Sequence, residues 1–465
     1  MTQLHKNGFN TPKLPPTRLP DSDLNLEETM QAEVSEQVLT RLKTEEGGMA
    51  LVGSFRTLSR EQENYVRQVI GEELSRYNSF AARLNKPFLA DTLRATQEIF
   101  NQLFGLGKLQ PLLEDSSIED IFINGPDEVL VIQNGLKKRV SLHLGSNARV
   151  LEWCKRMAFE SGRRVDEASP MLDLQLPGGA RMNVIIPPAS RENVLVTIRN
   201  HTTDVRSLED LMAGGVLSRT AATFLAACVS AGLNILIAGA TGSGKTTLLN
   251  CLGARINPQE RVIIIEETSE LNFPIRDCLY LQARNANIEG LGEITLGDLV
   301  RNALRMRPTW LIVGEVRGGE AMDMLKAMST GHSSATSIHS NSATEAFTAL
   351  KTCAMQAPGR PGPEVVVELI RQAIDIVVHL VVVKRSNRRY VSSILEVTPG
   401  GEGLQISSNE IFKVRFREGR KDRPYLTWSG LVPRCLPRLE EVGLDWRGQI
   451  LAEEEEENLE EGGAQ

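Results

Sequence analysis

The 465-residue sequence is poor in aromatic side chains, with Phe, Trp and Tyr making up 5%. A surface built mainly to stack nucleic-acid bases is thereby disfavoured. Cysteines are few and scattered: Cys154, Cys228, Cys251, Cys278, Cys353 and Cys435 include no C-x-x-C pair. That excludes a tetracysteine zinc clip and suits free thiols in a reducing cytoplasm. The opening MTQLHKNGFNTPKLPPTRLP has no apolar stretch, so no secretory signal is expected. The longest uncharged run, Thr220 to Gly244, holds Ser, Thr, Asn and several Gly, a poor membrane span. An excess of positive charge is missing too. Lys and Arg number 52 against 59 Asp and Glu, and Glu453–Glu457, Glu460 and Glu461 account for that whole imbalance. The body is neutral, and no nucleic-acid partner is expected.

What is present suggests several segments. Residues 1–55 carry four prolines before Asp21 and read as a mobile leader. Over 56–106 the pattern is helical, with Leu89, Leu93, Phe100, Leu103 and Phe104 as an apolar stripe ended by Gly105 and Gly107. Residues 107–205 read as a small α+β domain. There SIEDIFING precedes EVLVIQ and LKKRVSL, two alternating strands joined by Asn134-Gly135, a type I′ hairpin signal. A helix from about Asn147 with Ser146 as N-cap follows, then strands ARMNVIIPP and VLVTIRN.

From 206 to 420, helices alternate with NILIAG, RVIIIEE, CLYLQAR, TWLIVGE and ATSIHS, the pattern of a mostly parallel sheet covered on both faces. DIVVHLVVVK, YVSSILEV and EIFKVRF add an antiparallel edge. Residues 421–465 form an extension with an acidic tail. Lys384 to Arg423 holds ten basic against five acidic residues, either a solvated rim or a docking patch for an acidic partner or lipid headgroups.

The sharpest motif is Gly239-Ala240-Thr241-Gly242-Ser243-Gly244-Lys245-Thr246, followed by Thr247. It matches G-x-x-x-x-G-K-[ST] between an expected strand and an expected helix. The glycines let backbone N–H groups turn towards phosphate oxygens, and the helix N-terminus adds positive potential. Lys245 suits the β- and γ-phosphates of ATP, and the Thr246 hydroxyl suits Mg²⁺. Hydrolysis needs carboxylates at neighbouring strand ends. Glu266 and Glu267 end one apolar strand, and Glu315 follows another, with Arg317 behind it. A carboxylate there orders water or holds Mg²⁺ through its water shell. His332 and His339 flank a short strand, either as structural histidines or near the γ-phosphate. Thr295 and Asp298 form a capping box for EITLGDLVRNALRMRP. Its Arg301 and Arg305 are either a solvated face or arginines offered to a neighbour's nucleotide.

Taken together, GRRVDEASPMLDLQLPGGARMNVIIPP, EGLGEITLGDLVRNALRMRP, IVGEVRGGEAMDMLKAMSTGH and SIHSN resemble the secretion-ATPase superfamily of type II and type IV secretion systems. Within it they resemble the Tad/Flp pilus-assembly (CpaF-like) branch, over roughly Leu109 to Ile411. The resemblance implies an α/β fold: a RecA-like P-loop ATPase domain with a smaller α+β, PAS-like amino-terminal domain and a helical leader. It implies Glu266 as the catalytic glutamate, Glu315 as the Walker B glutamate, and His332 and His339 as the His-box. Arg199, Arg284 and Arg305 match arginines around nucleotide or subunit contacts. It further implies a homohexamer, cytoplasmic and peripheral at the inner membrane through a platform protein. Alternatives are an ATPase of conjugation or effector export, and a DNA-handling RecA-type enzyme. Glu267 stands where the family has Asp, Arg307-Pro308-Thr309-Trp310 where it has Arg-Pro-Asp-Arg, and Ser333 where it has Gly after the first His.

Overall fold

Val34, Val38 and Leu42 recur every four residues and give the helix Asp21–Thr44 one fully buried face. That face packs on Val66, Ile70 and Leu74 of the helix Arg60–Arg83 and on Ile99 of the helix Thr92–Phe104. The expected mobile leader thus contains a packed helix. Its charged outer face hides the apolar repeat from a reading by composition. Leu93, counted in the stripe, is instead 86% exposed, because the stripe of Thr92–Phe104 turns inward only from Ala95 and Ile99. The computed structural model describes residues 21–44, 58–176, 179–200, 207–284, 286, 290–383, 388–417 and 420–451. The rest of the expected leader, residues 201–206 and the acidic tail lie outside the described residues.

The three helices anchor one of two compact units. The other holds Ser116–Phe122, Leu130–Lys138 and the chain from Gly162 onward. Fifteen strands are described. They are β1 (Ile118–Asn124), β2 (Val129–Gln133), β3 (Leu136–Val140), β4 (Met171–Gln175), β5 (Arg181–Ile185), β6 (Leu195–Arg199), β7 (Ile235–Gly239) and β8 (Val262–Glu266). After them come β9 (Cys278–Gln282), β10 (Trp310–Val313), β11 (Ser333–Ile338), β12 (Ile376–Val383), β13 (Arg388–Val397), β14 (Ser408–Arg417) and β15 (Arg420–Trp428).

The first six form a sheet ordered β3-β2-β1-β6-β5-β4. Its β2–β3 turn places Asn134 at φ 51° and Gly135 at φ 73°, the left-handed pair that a type I′ turn requires. The other nine are ordered β15-β14-β13-β12-β7-β11-β10-β8-β9. Strands β12 to β9 in that order are mutually parallel, and β13 to β15 continue antiparallel. The α/β class read from the sequence, a RecA-like parallel sheet preceded by a smaller α+β sheet, is the class observed.

Alternate residues of the parallel strands enter different cores. Ile235, Ile237, Val262 and Ile264 join one, while Leu236, Ala238, Ile263 and Ile265 join the other. Burial on both faces explains why these strands read as unbroken apolar runs. The boundary expected at 420 falls within β15, after its first residue Arg420, and β15 pairs with β14 in one sheet. Trp446 lies 6.1 Å edge-on to Phe224 and 5.9 Å from Trp428. Buried Glu396 accepts the N–H groups of Arg434 (2.9 Å) and Cys435 (2.7 Å). With the pairing of β15 on β14 and the burial of Leu426, Leu439, Leu444 and Ile450 in the same core, these contacts make residues 421–451 part of the main core. Among the described residues, no helix is long and apolar enough to cross a membrane.

Candidate functional site

Parallel strands deliver their carboxyl ends to one side of the sheet. That side collects Gly239 from β7, Glu266 from β8, the Gly314-Glu315 pair after β10 and His339 after β11. The loop after β7 is tight. A side chain on Gly239 would meet Leu380 O and Ser243 Oγ, both 2.6 Å from the Cβ position. Gly244, at φ 97°, is the N-cap of the helix Lys245–Gly253. The first helical amides, of Lys245, Thr246 and Thr247, have no intrahelical acceptor and are available to an anion. Ala240, Thr241 and Gly242 are exposed at the mouth of the loop, and the Ser243 side chain is buried beneath it.

Lys245 is 7% exposed. Its Nζ donates to Gly239 O (3.1 Å) and Ala240 O (3.3 Å) and lies 3.2 Å from His339 Nδ1. His339 Nε2 lies 3.0 Å from Glu315 Oε1, which is 3.7 Å from Nζ. Burial holds the ammonium below its usual value, opposed by the Glu315 carboxylate. Burial, and then the Lys245 charge, hold His339 below its usual value, which favours the neutral ring. The consistent proton arrangement has Lys245 donating to Nδ1 and Nε2–H donating to Glu315. Arg317 Nε donates to Glu315 Oε2 (2.6 Å), and its Nη1 to Glu267 Oε2 (3.2 Å). Two cations, two carboxylates and one imidazole thus form one network.

Glu266 is buried one strand away, its Cγ 3.0 Å from where a Gly314 Cβ would sit. Its Oε1 accepts the N–H groups of Glu270 (3.0 Å) and Leu271 (3.1 Å). Burial nevertheless pushes this carboxyl up to about 7, against the pull of those two donors. A raised carboxyl favours the protonated folded state. Its stabilising contribution is complete below the ordinary value of 4.5 and is lost as pH rises through 7. Glu266→Gln, which keeps the acceptor, is therefore expected to gain about 2–3 kcal/mol on wild type between pH 5 and pH 8. Thermal melts at both pH values measure it, and a difference in melting temperature that does not change with pH contradicts it.

The other expected site residues are not part of the network of Lys245, His339 and Glu315. His332 precedes β11, seven residue steps from His339, or about 23 Å at about 3.3 Å per residue. Its Nδ1 is 3.2 Å from Thr330 Oγ1 and from Ala327 O. Arg305 is exposed before β10, at the sheet's amino end. Arg301 beside it is tied to Asp298 and to Asp323 (2.6 Å). Arg284, just past β9, donates to Gly292 O (2.7 Å). Arg199, ending β6, pairs with Asp120 (3.2 Å).

Three participants had no motif to betray them. Glu270 pairs with Arg181 of β5 (2.7 Å). Asn250 holds the same loop from below, donating to Glu270 O (3.3 Å) and accepting Asn272 N–H (2.8 Å).

Comparison with known proteins finds relatives. Residues 102–414 match the family model described as type II/IV secretion system protein. A putative conjugal transfer protein of Mycobacterium tuberculosis is 37% identical over 247 residues, covering 52% of this chain and 70% of that protein. The type IV secretion system protein PtlH of Bordetella pertussis is 33% identical over 283 residues, covering 55% and 82%. Among solved structures, the VirB11 ATPase of the Brucella suis type IV secretion system, in complex with sulphate, is 28% identical. It covers 62% of this chain and 95% of that one, with a TM-score of 0.35.

Proposed function

We propose, from the premise that the chain belongs to the type II/IV secretion system protein family, that it is an ATP-hydrolysing motor. The observation that carries this reading is the network in which Lys245, His339 and Glu315 meet beneath the loop Gly239–Thr246. The donor set fits a magnesium nucleotide: orphan amides and an ammonium for phosphate oxygens, a hydroxyl and a carboxylate for a hard cation. Thr246 would hold Mg²⁺ directly and Glu315 through water. When bound, the ion supplies charge neutralisation between the phosphates. Lys245 exchanges its carbonyl and imidazole partners for β,γ-phosphate oxygens. His339 then keeps Glu315 oriented through Nε2–H. Glu266, at the next strand end, accepts the proton of the attacking water.

In our reading the motor is a homohexamer of the Tad/Flp pilus-assembly type, held peripherally at the cytoplasmic face of the inner membrane by a platform protein. The motif run from Gly162 through His339 supports that branch. A second reading, export in conjugation or effector secretion, is favoured by the names its relatives carry. Deleting the gene and scoring surface pili against plasmid transfer separates the two.

Within the chain Arg199 pairs with Asp120, Arg284 donates to Gly292 O, and Arg305 is exposed; in our reading all three serve a neighbour's site in the ring. A second guanidinium at the γ-phosphate is worth about 10³-fold or more. Turnover per chain is therefore expected to climb steeply with protein concentration until assembly saturates. Mixing Lys245→Ala chains with Arg284→Ala or Arg305→Ala chains should restore part of the lost rate. Constant specific activity over a hundredfold dilution, with monomers alone by size, contradicts the ring.

A further inference from the structure

Arg389, near the start of β13, touches the phosphate loop and the amino-terminal sheet at once. Its Nε donates to Gly242 O at 2.8 Å, and its Nη2 lies 3.4 Å from Glu119 Oε2 on β1. The other oxygen of that carboxylate accepts the N–H of Gly135, at 2.8 Å, in the β2–β3 turn. The Arg389 stem runs along the loop, with Cδ 3.7 Å from where a Gly244 Cβ would be. All of these residues fall in one compact unit.

The peptide joining Gly242 to Ser243 is consequently pinned at both ends, since Ser243 N–H also bonds Ala240 O at 3.2 Å. It needs pinning. Gly242, at φ 74°, stands on one side of it, and a peptide beside such a glycine reorients at less steric cost than one between two side chains. Turned the other way, the Gly242 carbonyl would present negative charge to incoming phosphates. A planar guanidinium can hold that carbonyl with one N–H and a carboxylate with another, while a lysine ammonium has no such fork. Anionic phosphate arriving in the loop pulls on the same guanidinium, and every change in its pose is felt by Glu119.

We propose that Arg389 is a positioning residue that keeps the Gly242 carbonyl turned out of the phosphate cradle and transmits the cradle's occupancy to β1 and the β2–β3 turn through Glu119. This rests on the reading of the loop as an ATP site. It gives the basic stretch Lys384–Arg423 one internal task besides any surface role.

Hydrogen exchange of the full chain, with and without a non-hydrolysable ATP analogue, tests it. In wild type, nucleotide should slow exchange at 239–247 and alter it at 118–124 and 133–136. Arg389→Gln should bind the analogue about tenfold more weakly. At saturation it should still protect 239–247 but lose the response at 118–124 and 133–136. Arg389→Lys should recover part of the affinity and none of the distant response. Glu119→Gln should keep the affinity and lose the response, and it carries the test should Arg389→Gln not fold. A distant response that survives saturation in Arg389→Gln or Glu119→Gln overturns the proposal. So does a wild type that protects 239–247 while 118–124 and 133–136 stay indifferent. No protection at 239–247 in wild type overturns the ATP site itself, and the proposal with it.

Discussion

Lys245→Ala is expected to lower ATP turnover by about 10²–10³-fold and to weaken ATP binding. The ammonium is buried and ringed by Gly239 O, Ala240 O, His339 and Glu315. A cation in such a site acts through a lower effective dielectric than water, and one preorganised electrostatic contact removed typically costs that much in rate. Alanine leaves two carbonyls and a carboxylate facing the phosphates with nothing to offset them, so binding suffers with chemistry. Circular dichroism checks that the variant is folded. Hydrolysis at the wild-type rate would mean that the loop does not handle phosphate.

Glu266→Gln separates binding from chemistry and carries a pH signature. The carboxyl sits at about 7, close to where a general base works best. For wild type, kcat/KM should therefore rise from pH 6 to pH 8 as Glu266 loses its proton. The glutamine variant should bind ATP, hydrolyse it about a hundredfold more slowly or worse, and lose that rising limb. Titration of the nucleotide is common to both proteins and cancels in their ratio. His339, held below its usual value, titrates lower and does not supply the limb. A variant that keeps both rate and limb would move the base to Glu315 or Glu267.

Much of the fold was legible because the parallel strands are buried on both faces and so spell themselves out as apolar runs. The Asn134-Gly135 turn, the Ser146 cap and the Thr295–Asp298 capping box announced themselves through local chemistry, and each is present. What escaped depends on contacts far apart in sequence. Trp446 joins a core more than two hundred residues upstream at Phe224, and no local period marks that. Val34, Val38 and Leu42 are diluted by charged neighbours.

The site divides in the same way. Lys245, Glu315 and His339 meet because strand order makes β7, β11 and β10 adjacent. His332 shares a motif with His339 but not an end of the strand. Arg389 lay in a stretch whose charge suggested solvent or a docking patch, and only tertiary structure sets it against Gly242.

Phosphate release by the purified chain with Mg²⁺ and ATP, followed as the protein is concentrated and with Lys245→Ala run in parallel, tests the motor most directly. Release that requires Mg²⁺, grows faster than protein concentration and vanishes in Lys245→Ala is the expected result. Tight ATP binding without release by an assembled wild-type ring, or equal release by Lys245→Ala, would contradict it.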